Sequence, residues 1–493
     1  MNDTTSGLLA CAKAPELTPE LSAVVGRLVG VLHDKLSRNQ TQMEYYYDRQ
    51  PVKNLGLAVP KTFNGKVDTS VGWAAKAVDM LASRSQFDGF TLAGGDGSEL
   101  NALMRDNAMA ETYAMAVPME LVHSCGFWTV SPGEESEGEP PAVINYHDAV
   151  SAAALWDYRR KTILAGLVVE DMRPKANGTP GEYEPSLVVV HTRDAVTEIR
   201  RGTGDEWTAE TKANWVGRPL MEPMAYKPSV GRPFGKSRVS RTVMGIVDDM
   251  QREILRTSIH SELFSSVQKA VLGVSDEQFD ALTTNKYQAA ITSLFVATKD
   301  RDGDVPQLTQ FQQASMEPHV AMMNKLASRM ASETCLPVSA FGVDSSVYQS
   351  AESLRASTAD LVVEAESLNR TNGQALRNVA MLALCVTQNK CMADLTNEER
   401  SVTVHWKDPS MPSIAAQSDA MVKQAGVIDW LPETSVFWEQ LGYDEEQRIR
   451  IMSEKMQAKR QQTLVAMMRQ RADQSEVTDG DSQEAADGTE QGA

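Results

Sequence analysis

Gly231-Arg232-Pro233-Phe234-Gly235-Lys236-Ser237 comes closer to a known chemical motif than any other stretch of this chain. A phosphate-binding loop ends in Gly-Lys-Ser because the lysine and hydroxyl reach phosphate and magnesium while backbone N–H groups wrap the anion. That loop needs one residue more between its glycines than the three found here. Pro233 also removes an N–H, Phe234 adds bulk, and no long apolar strand precedes the turn. The segment reads as a turn, and so does Gly94-Gly95-Asp96-Gly97. The seven histidines (His33, His123, His147, His191, His260, His319, His405) are isolated, with no H-E-x-x-H and no other metal-ligand spacing. There is no G-x-S-x-G nucleophile elbow. Asp248-Asp249 is a carboxylate pair, but helix neighbours point about 100° apart, so it is expected on a solvated or inter-subunit face. No catalytic residue, metal or cofactor is expected.

Charge and composition narrow the classes further. The chain has 493 residues and a net charge of −18, from 66 acidic and 48 basic side chains. Nucleic-acid readers carry a basic face that displaces counterions, so a protein that grips DNA is excluded. Residues 472–493 hold seven acidic side chains and no Lys or Arg, which leaves −11 for residues 1–471. No apolar run approaches the ~20 residues of a membrane span; the longest good candidate is Val379 to Val386. The N-terminal stretch lacks the basic region and apolar core of a secretory leader. Five cysteines (Cys11, Cys125, Cys335, Cys385, Cys391) form no C-x-x-C pair and read as free, buried thiols of a reduced compartment.

Helices must carry most of the chain. Thr18, Pro19 and Glu20 mark a helix start, and apolar residues recur from Leu21 to Leu36 at helical spacing. Further amphipathic segments span about 71–87 and 99–125. Residues 126–220 switch to alternation and β-branched residues, followed by a Pro-rich connector over 221–238. A long amphipathic run covers 239–272, then a mixed segment to Pro306 with strand-like Leu294–Ala297 and a turn at Asp300–Asp304. A helix starts near Met316, carries Met316, Met322, Met323 and Met330, and ends before Pro337. Another spans about 351–388, interrupted at Gly373, and a short strand leads to Asp408-Pro409. Two or three helices fill 413–471, and the acidic tail reads as disordered. The fold class is α+β, mainly helical.

Several stretches, in order, resemble the Gp6-like family of bacteriophage portal proteins. They are Tyr46-Tyr47-Asp48; Val78-Asp79 through Gly89-Phe90; Asn107 leading to Gly126; Pro233 through Ser237 before a long helix; Ser332 through Pro337 to Gly342; Ser350 through Arg355; and Val404 through Pro409, then Ala415–Ala420 and Leu441-Gly442-Tyr443. The family usually continues the Pro233–Ser237 turn with an acidic residue, where this chain has Arg238.

The resemblance implies a closed ring, a dodecamer, with wing, stem, clip and crown. It implies a wing over 1–235 with a β-rich insert at 126–220, stem helices over 236–267 and 311–335, and a clip over 268–310. A tunnel loop over 336–350, a long wing helix over 351–400, a crown over 401–471 and the tail complete it. Implied site residues are Asp344, Ser345, Ser346, Val347, Tyr348 and Gln349 in the tunnel loop. Lys325 and Arg329 would face the stem channel, with inter-subunit ion pairing the competing role. Lys286, Lys299, Asp300, Arg301, Asp302 and Asp304 would serve clip docking. Implied partners are further copies of the chain, terminase large subunit, a head-tail adaptor, major capsid and scaffold proteins, and passing double-stranded DNA read without sequence preference. The implied location is the portal vertex of the virion after assembly in the host cytoplasm, with no membrane. The alternative is another minor head protein without a channel.

Overall fold

The computed structural model describes residues 3–265 except 58, 93–96, 176–178, 203 and 205; 269–272; 307–310; 315–342; and 351–467 except 411–413, 429, 444–446, 464 and 466. The chain divides between Pro409 and Ser410 into two compact units. In the first, α1 is Asp3–Cys11, α2 Pro19–Tyr46, α3 Trp73–Ala82, β1 Phe87–Thr91, α4 Ser98–Asp106 and α5 Met109–His123. Strands follow: β2 Cys125–Pro132, β3 Ala142–Asp148, β4 Ala152–Asp157, β5 Thr162–Pro174, β6 Tyr183–Thr192, β7 Ala195–Arg201, β8 Trp207–Ala213 and β9 Met221–Ala225. Then come α6 Arg241–Ser265, β10 Lys269–Leu272, β11 Gln307–Gln310, α7 Glu317–Thr334, α8 Ala351–Thr387 and β12 Thr403–Trp406.

Local chemistry sets the start of α2: the Thr18 hydroxyl accepts from Leu21 N–H at 3.3 Å, and Pro19 opens the first turn. Its first half buries Val25, Leu28, Val29 and Leu32 with Leu8 and Cys11 of α1. They cover one face of an antiparallel meander, β4-β5-β6-β7-β8, through Leu167, Val188, Val190 and Ile199. Each such fully buried side chain contributes roughly 1.5–3 kcal/mol before entropy is counted. The second sheet is β3-β2-β9. Here β9 lies inside the stretch expected to be connector. Met221 and Met224 are fully buried, so these residues act as a strand despite Pro223. Gly126 admits no side chain, because a Cβ would lie 1.8 Å from the Tyr146 hydroxyl oxygen.

Two other expectations change. The helix expected over 99–125 is two helices, broken where Ala108 takes a left-handed conformation (φ 45°). Asn107 at the break accepts from Ile144 N–H at 2.8 Å and donates to Ala142 O at 2.9 Å, clamping β3. Helix α8 runs through Gly373 without interruption, because Trp406 of β12 packs on that face and tertiary contact offsets the weak propensity of glycine. The short strand before Asp408-Pro409 is β12, which pairs with β1 in the first unit, Phe90 opposite Val404. Val379–Val386, the apolar run noted above, is buried on every side of α8. Among the described residues no helix is long and apolar enough to cross a membrane.

The second unit contains α9 Ile414–Ala425, α10 Ser435–Gln440 and a helix over 447–463. Gly442 (φ 90°) lets the chain turn so that Tyr443 N–H bonds Trp438 O at 3.1 Å and the two rings pack edge to face.

Candidate functional site

Helices α6 and α7 pack against each other, and β10 and β11 pair antiparallel just beyond their facing ends. Helix α6 is 25 residues, about 37 Å at 1.5 Å per residue. The pair buries Val243, Ile246 and Val247 from α6 in one core with Leu326, Ala327, Met330 and Ala331 from α7. The methionines divide: Met330 is core, while Met322 is exposed. Lys325 and Arg329, one turn apart, both lie on the exposed face of α7. Neither side chain has an ion-pair partner among the described residues. Arg329 borders an open groove with Arg241, Gly245 and Arg252 of α6.

A polar ladder also ties the two helices. Glu253 of α6 is buried and accepts from His319 Nδ1–H at 2.6 Å. The other ring nitrogen of His319, Nε2, lies 2.7 Å from His260 Nδ1. Arg256 holds the other Glu253 oxygen at 3.3 Å.

The base of the pair is anchored by Arg238, which is 6% exposed. Its guanidinium donates to Ala77 O of α3 (2.6 Å), to Thr334 O at the end of α7 (2.6 Å) and to the Tyr226 hydroxyl (3.0 Å). It also pairs with Glu364 of α8 at 2.7 Å. Tyr226 and Lys227 both donate to the remaining Glu364 oxygen. Burial alone would raise the Glu364 carboxyl; Arg238, Lys227 and Tyr226 more than offset it and hold the group below its ordinary value. One arginine, three residues before α6, therefore links α3, the strand end at 226, α7 and α8.

The Gly231–Ser237 segment supplies the turn into that anchor. Gly235 (φ +67°) sits so close to its neighbours that a Cβ would fall 2.2 Å from Tyr226 O and 2.9 Å from Ser124 O. Lys236 N–H bonds Tyr226 O at 3.0 Å, Ser237 Oγ donates to Val122 O at 2.5 Å, and Arg238 N–H bonds Leu121 O at 2.8 Å. Phe234 packs on Phe127 and Trp156. Its glycine, lysine backbone and hydroxyl are committed to chain packing.

Other motif residues meet across the fold. Asp248, expected on a solvated or inter-subunit face, is largely shielded from solvent within its own subunit. It is 8% exposed and accepts from the Tyr45 hydroxyl at 2.6 Å and Lys53 Nζ at 2.7 Å, both from the same subunit, because its position on α6 points at the end of α2. Asp249 pairs with Arg252, and both aspartates border the groove that holds Arg329. Tyr46 donates to Asp79 at 2.9 Å, and Asp48 accepts from Val71 N–H at 2.6 Å at the entry to α3. Cys335, expected buried, is exposed in a left-handed position (φ 55°) that ends α7. Among the described residues no group of three His, Cys, Asp or Glu is placed to hold a metal ion.

Sequence reasoning missed a clasp on α8. Asn372 donates to Glu120 at 2.8 Å and to the Tyr113 hydroxyl at 3.0 Å. Ser85 gives its proton to Asn369 at 2.6 Å, so Tyr113 must donate to Ser85 across their 2.7 Å contact. The visible signal was two asparagines three apart on the stripe that also carries Leu368, Ala375 and Leu376. Glu120 is fully buried, and burial raises its pKa to about 8. The folded state thus keeps a proton that the unfolded chain loses above pH 4.5. Stability is expected to fall as pH rises from there to about 8, then level off. Glu120→Gln keeps the acceptor and removes the titration, so its urea midpoint should match wild type near pH 4.5 and exceed it near pH 8. Equal midpoints at both pH values would show that Glu120 ionises normally.

The residues expected in a tunnel loop, Asp344 to Gln349, and those expected in a clip, Lys286, Lys299, Asp300, Arg301, Asp302 and Asp304, lie outside the described residues. So do the Leu294–Ala297 segment and the acidic tail.

Comparison with known proteins adds the family. Portal proteins of Mycobacterium phages D29 and L5 are each 22% identical to this chain, over 409 and 394 residues, covering 81% and 77% of both chains in each pair. A chain from the neck of an empty gene transfer agent particle, computed with C6 symmetry, aligns over 79% of this chain and 89% of its own, at 13% identity and a TM-score of 0.42. One from the virion of the native particle covers 83% and 99%, at 11% identity and a TM-score of 0.40. Those scores are too low to bear on the fold. The family model for phage portal proteins of the SPP1 Gp6-like type matches residues 31–459, from within α2 through the second unit, and this chain belongs to that family.

Proposed function

We propose that this chain assembles with identical copies into a closed dodecameric ring at one vertex of the phage capsid. Double-stranded DNA enters and leaves through its channel. The observation that carries this reading is the family match over residues 31–459. A ring needs a head-to-tail interface that closes on itself. The Arg238 anchor and the α8 clasp would give each subunit the internal rigidity for such an interface to repeat.

The charge suits transit rather than capture. Residues 1–471 carry −11, and a like-charged wall repels phosphate at short range. Lys325 and Arg329 would supply rings of positive charge on the stem, meeting phosphate or a neighbour's carboxylates. In this reading Asp344, Ser345, Ser346, Val347, Tyr348 and Gln349 form the loop nearest the DNA. The segment with Lys286, Lys299, Asp300, Arg301, Asp302 and Asp304 receives the terminase large subunit and later the head-tail adaptor. The major capsid and scaffold proteins surround the wing, and no nucleotide is hydrolysed by this chain.

Negative-stain microscopy of the purified full chain is the test. Rings with a central hole are expected, and a compact monomer at all concentrations would defeat the reading. Deleting 344–349 should leave rings intact and stop DNA packaging; unchanged packaging would remove the loop's assigned role.

A further inference from the structure

The helix over 447–463 continues through 465 and 467, and most of its described residues are exposed. Ile449, Met456 and Met467 are each more than half exposed. At 100° per residue, Ile449, Met452, Met456, Thr463 and Met467 fall in one stripe about 60° wide. Lys459 and Arg460 flank that stripe on its two sides, and neither side chain has an ion-pair partner among the described residues. Arg448 and Lys455 lie beyond Lys459 on the same flank, while Glu454 sits on the opposite face and pairs with Arg450 at 3.3 Å. Met456, Lys459, Arg460, Thr463 and Met467 together border an open depression. Lys459, Arg460 and the exposed methionines thus make a basic amphipathic face, a pattern that takes an anionic partner.

The complementary partner is the next segment of the chain. Residues 447–471 contain seven basic side chains and one acidic, a net +6. Residues 472–493 contain seven acidic side chains and no basic ones, a net −7. The acids recur every two or three residues at Asp473, Glu476, Asp479, Asp481, Glu484, Asp487 and Glu490. Extended, this segment can span up to about 70 Å. The helix it would cover is about 30 Å long. Direct covalent connection raises the effective concentration to the millimolar range or above, ahead of any free anion.

We propose that the acidic segment 472–493 folds back onto the basic, methionine-lined face of helix 447–467 in its own chain and shields that face from DNA. It acts as an internal competitor for phosphate: seven carboxylates occupy the cations that a DNA backbone would otherwise meet. The contact is mainly electrostatic, so salt weakens it over a Debye length of about 10 Å at 0.1 M. The proposal stands on the charge and stripe of this helix, and it would hold for a monomer as well as for a ring.

Zero-length carbodiimide cross-linking of the full chain, prepared as a mixture of unlabelled and isotope-labelled subunits, tests the contact directly. Links from Lys455 or Lys459 to the acidic segment within one chain are expected, and they should fade in high salt. Links that form only between differently labelled chains, or none at all to the segment, would overturn the proposal. A second measurement reads the shielding. With residues 472–493 removed, a short DNA duplex should bind at least about ten-fold tighter at low salt than to the full chain. Lys459→Glu with Arg460→Glu should abolish that gain. Equal DNA binding by the full and shortened chains would refute the shielding, whatever the oligomeric state seen by microscopy.

Discussion

Arg238→Met is expected to lower unfolding stability by roughly 3–5 kcal/mol, the cost of leaving a buried carboxylate without its main partner. Glu364 would keep only Tyr226 and Lys227, and the Lys227 side chain is 42% exposed, which places the loss toward the lower end. Two carbonyls, Ala77 O and Thr334 O, would lose their donor as well. The double variant Arg238→Met with Glu364→Leu should recover part of the loss, because an apolar pair replaces an unpaired charge. Urea midpoints of the two variants and wild type at neutral pH decide this. A single variant within about 1 kcal/mol of wild type would mean that the anchor is not what holds α3, α7 and α8 together. The pH dependence has a definite sign. Since the folded Glu364 pKa lies below 4.5, its contribution is present above that value and is lost as pH falls through the folded pKa.

Gly235→Ala is the second large effect. The residue is left-handed at φ +67°, which costs an L-residue about 1–2 kcal/mol. The new methyl would also overlap Tyr226 O at 2.2 Å and Ser124 O at 2.9 Å. Those are backbone atoms at the end of β9 and just after α5, so neither can swing aside. A loss of roughly 2–4 kcal/mol is expected, together with poor assembly. Gly231→Ala is the control: nothing lies within 4 Å of its Cβ position, and stability should stay within about 0.5 kcal/mol. Thermal unfolding of the two alanine variants side by side reads the contrast. If both lose stability equally, or neither does, the close packing at Gly235 is not the reason for its presence.

The asymmetry between these two glycines shows where local reading stops. Both occur in one seven-residue segment and both look like turn glycines. Only the approach of Tyr226 O and Ser124 O separates them. The same holds for the acidic pair. Helical geometry correctly says that Asp248 and Asp249 point apart, but not that Asp248 points at Tyr45 and Lys53. Cys335 looks like any other scattered thiol until the left-handed end of α7 puts it outside.

What the sequence by itself determined is what short-range physics controls. It set the Thr18-capped start of α2, the amphipathic helices α6 and α7, the β-rich stretch after residue 125, the acidic balance and the ordered motifs that carry the family resemblance. Periodicity and capping act over a few residues, so one chain suffices to read them. Only the tertiary structure decided the Arg238 anchor, the Tyr45–Asp248–Lys53 group and the α8 clasp. Their partners stand 138 residues apart for Tyr226 and Glu364, 203 for Tyr45 and Asp248, and 284 for Ser85 and Asn369. A buried polar side chain is stable only when its partner arrives at hydrogen-bond distance. No local pattern encodes which distant residue that will be.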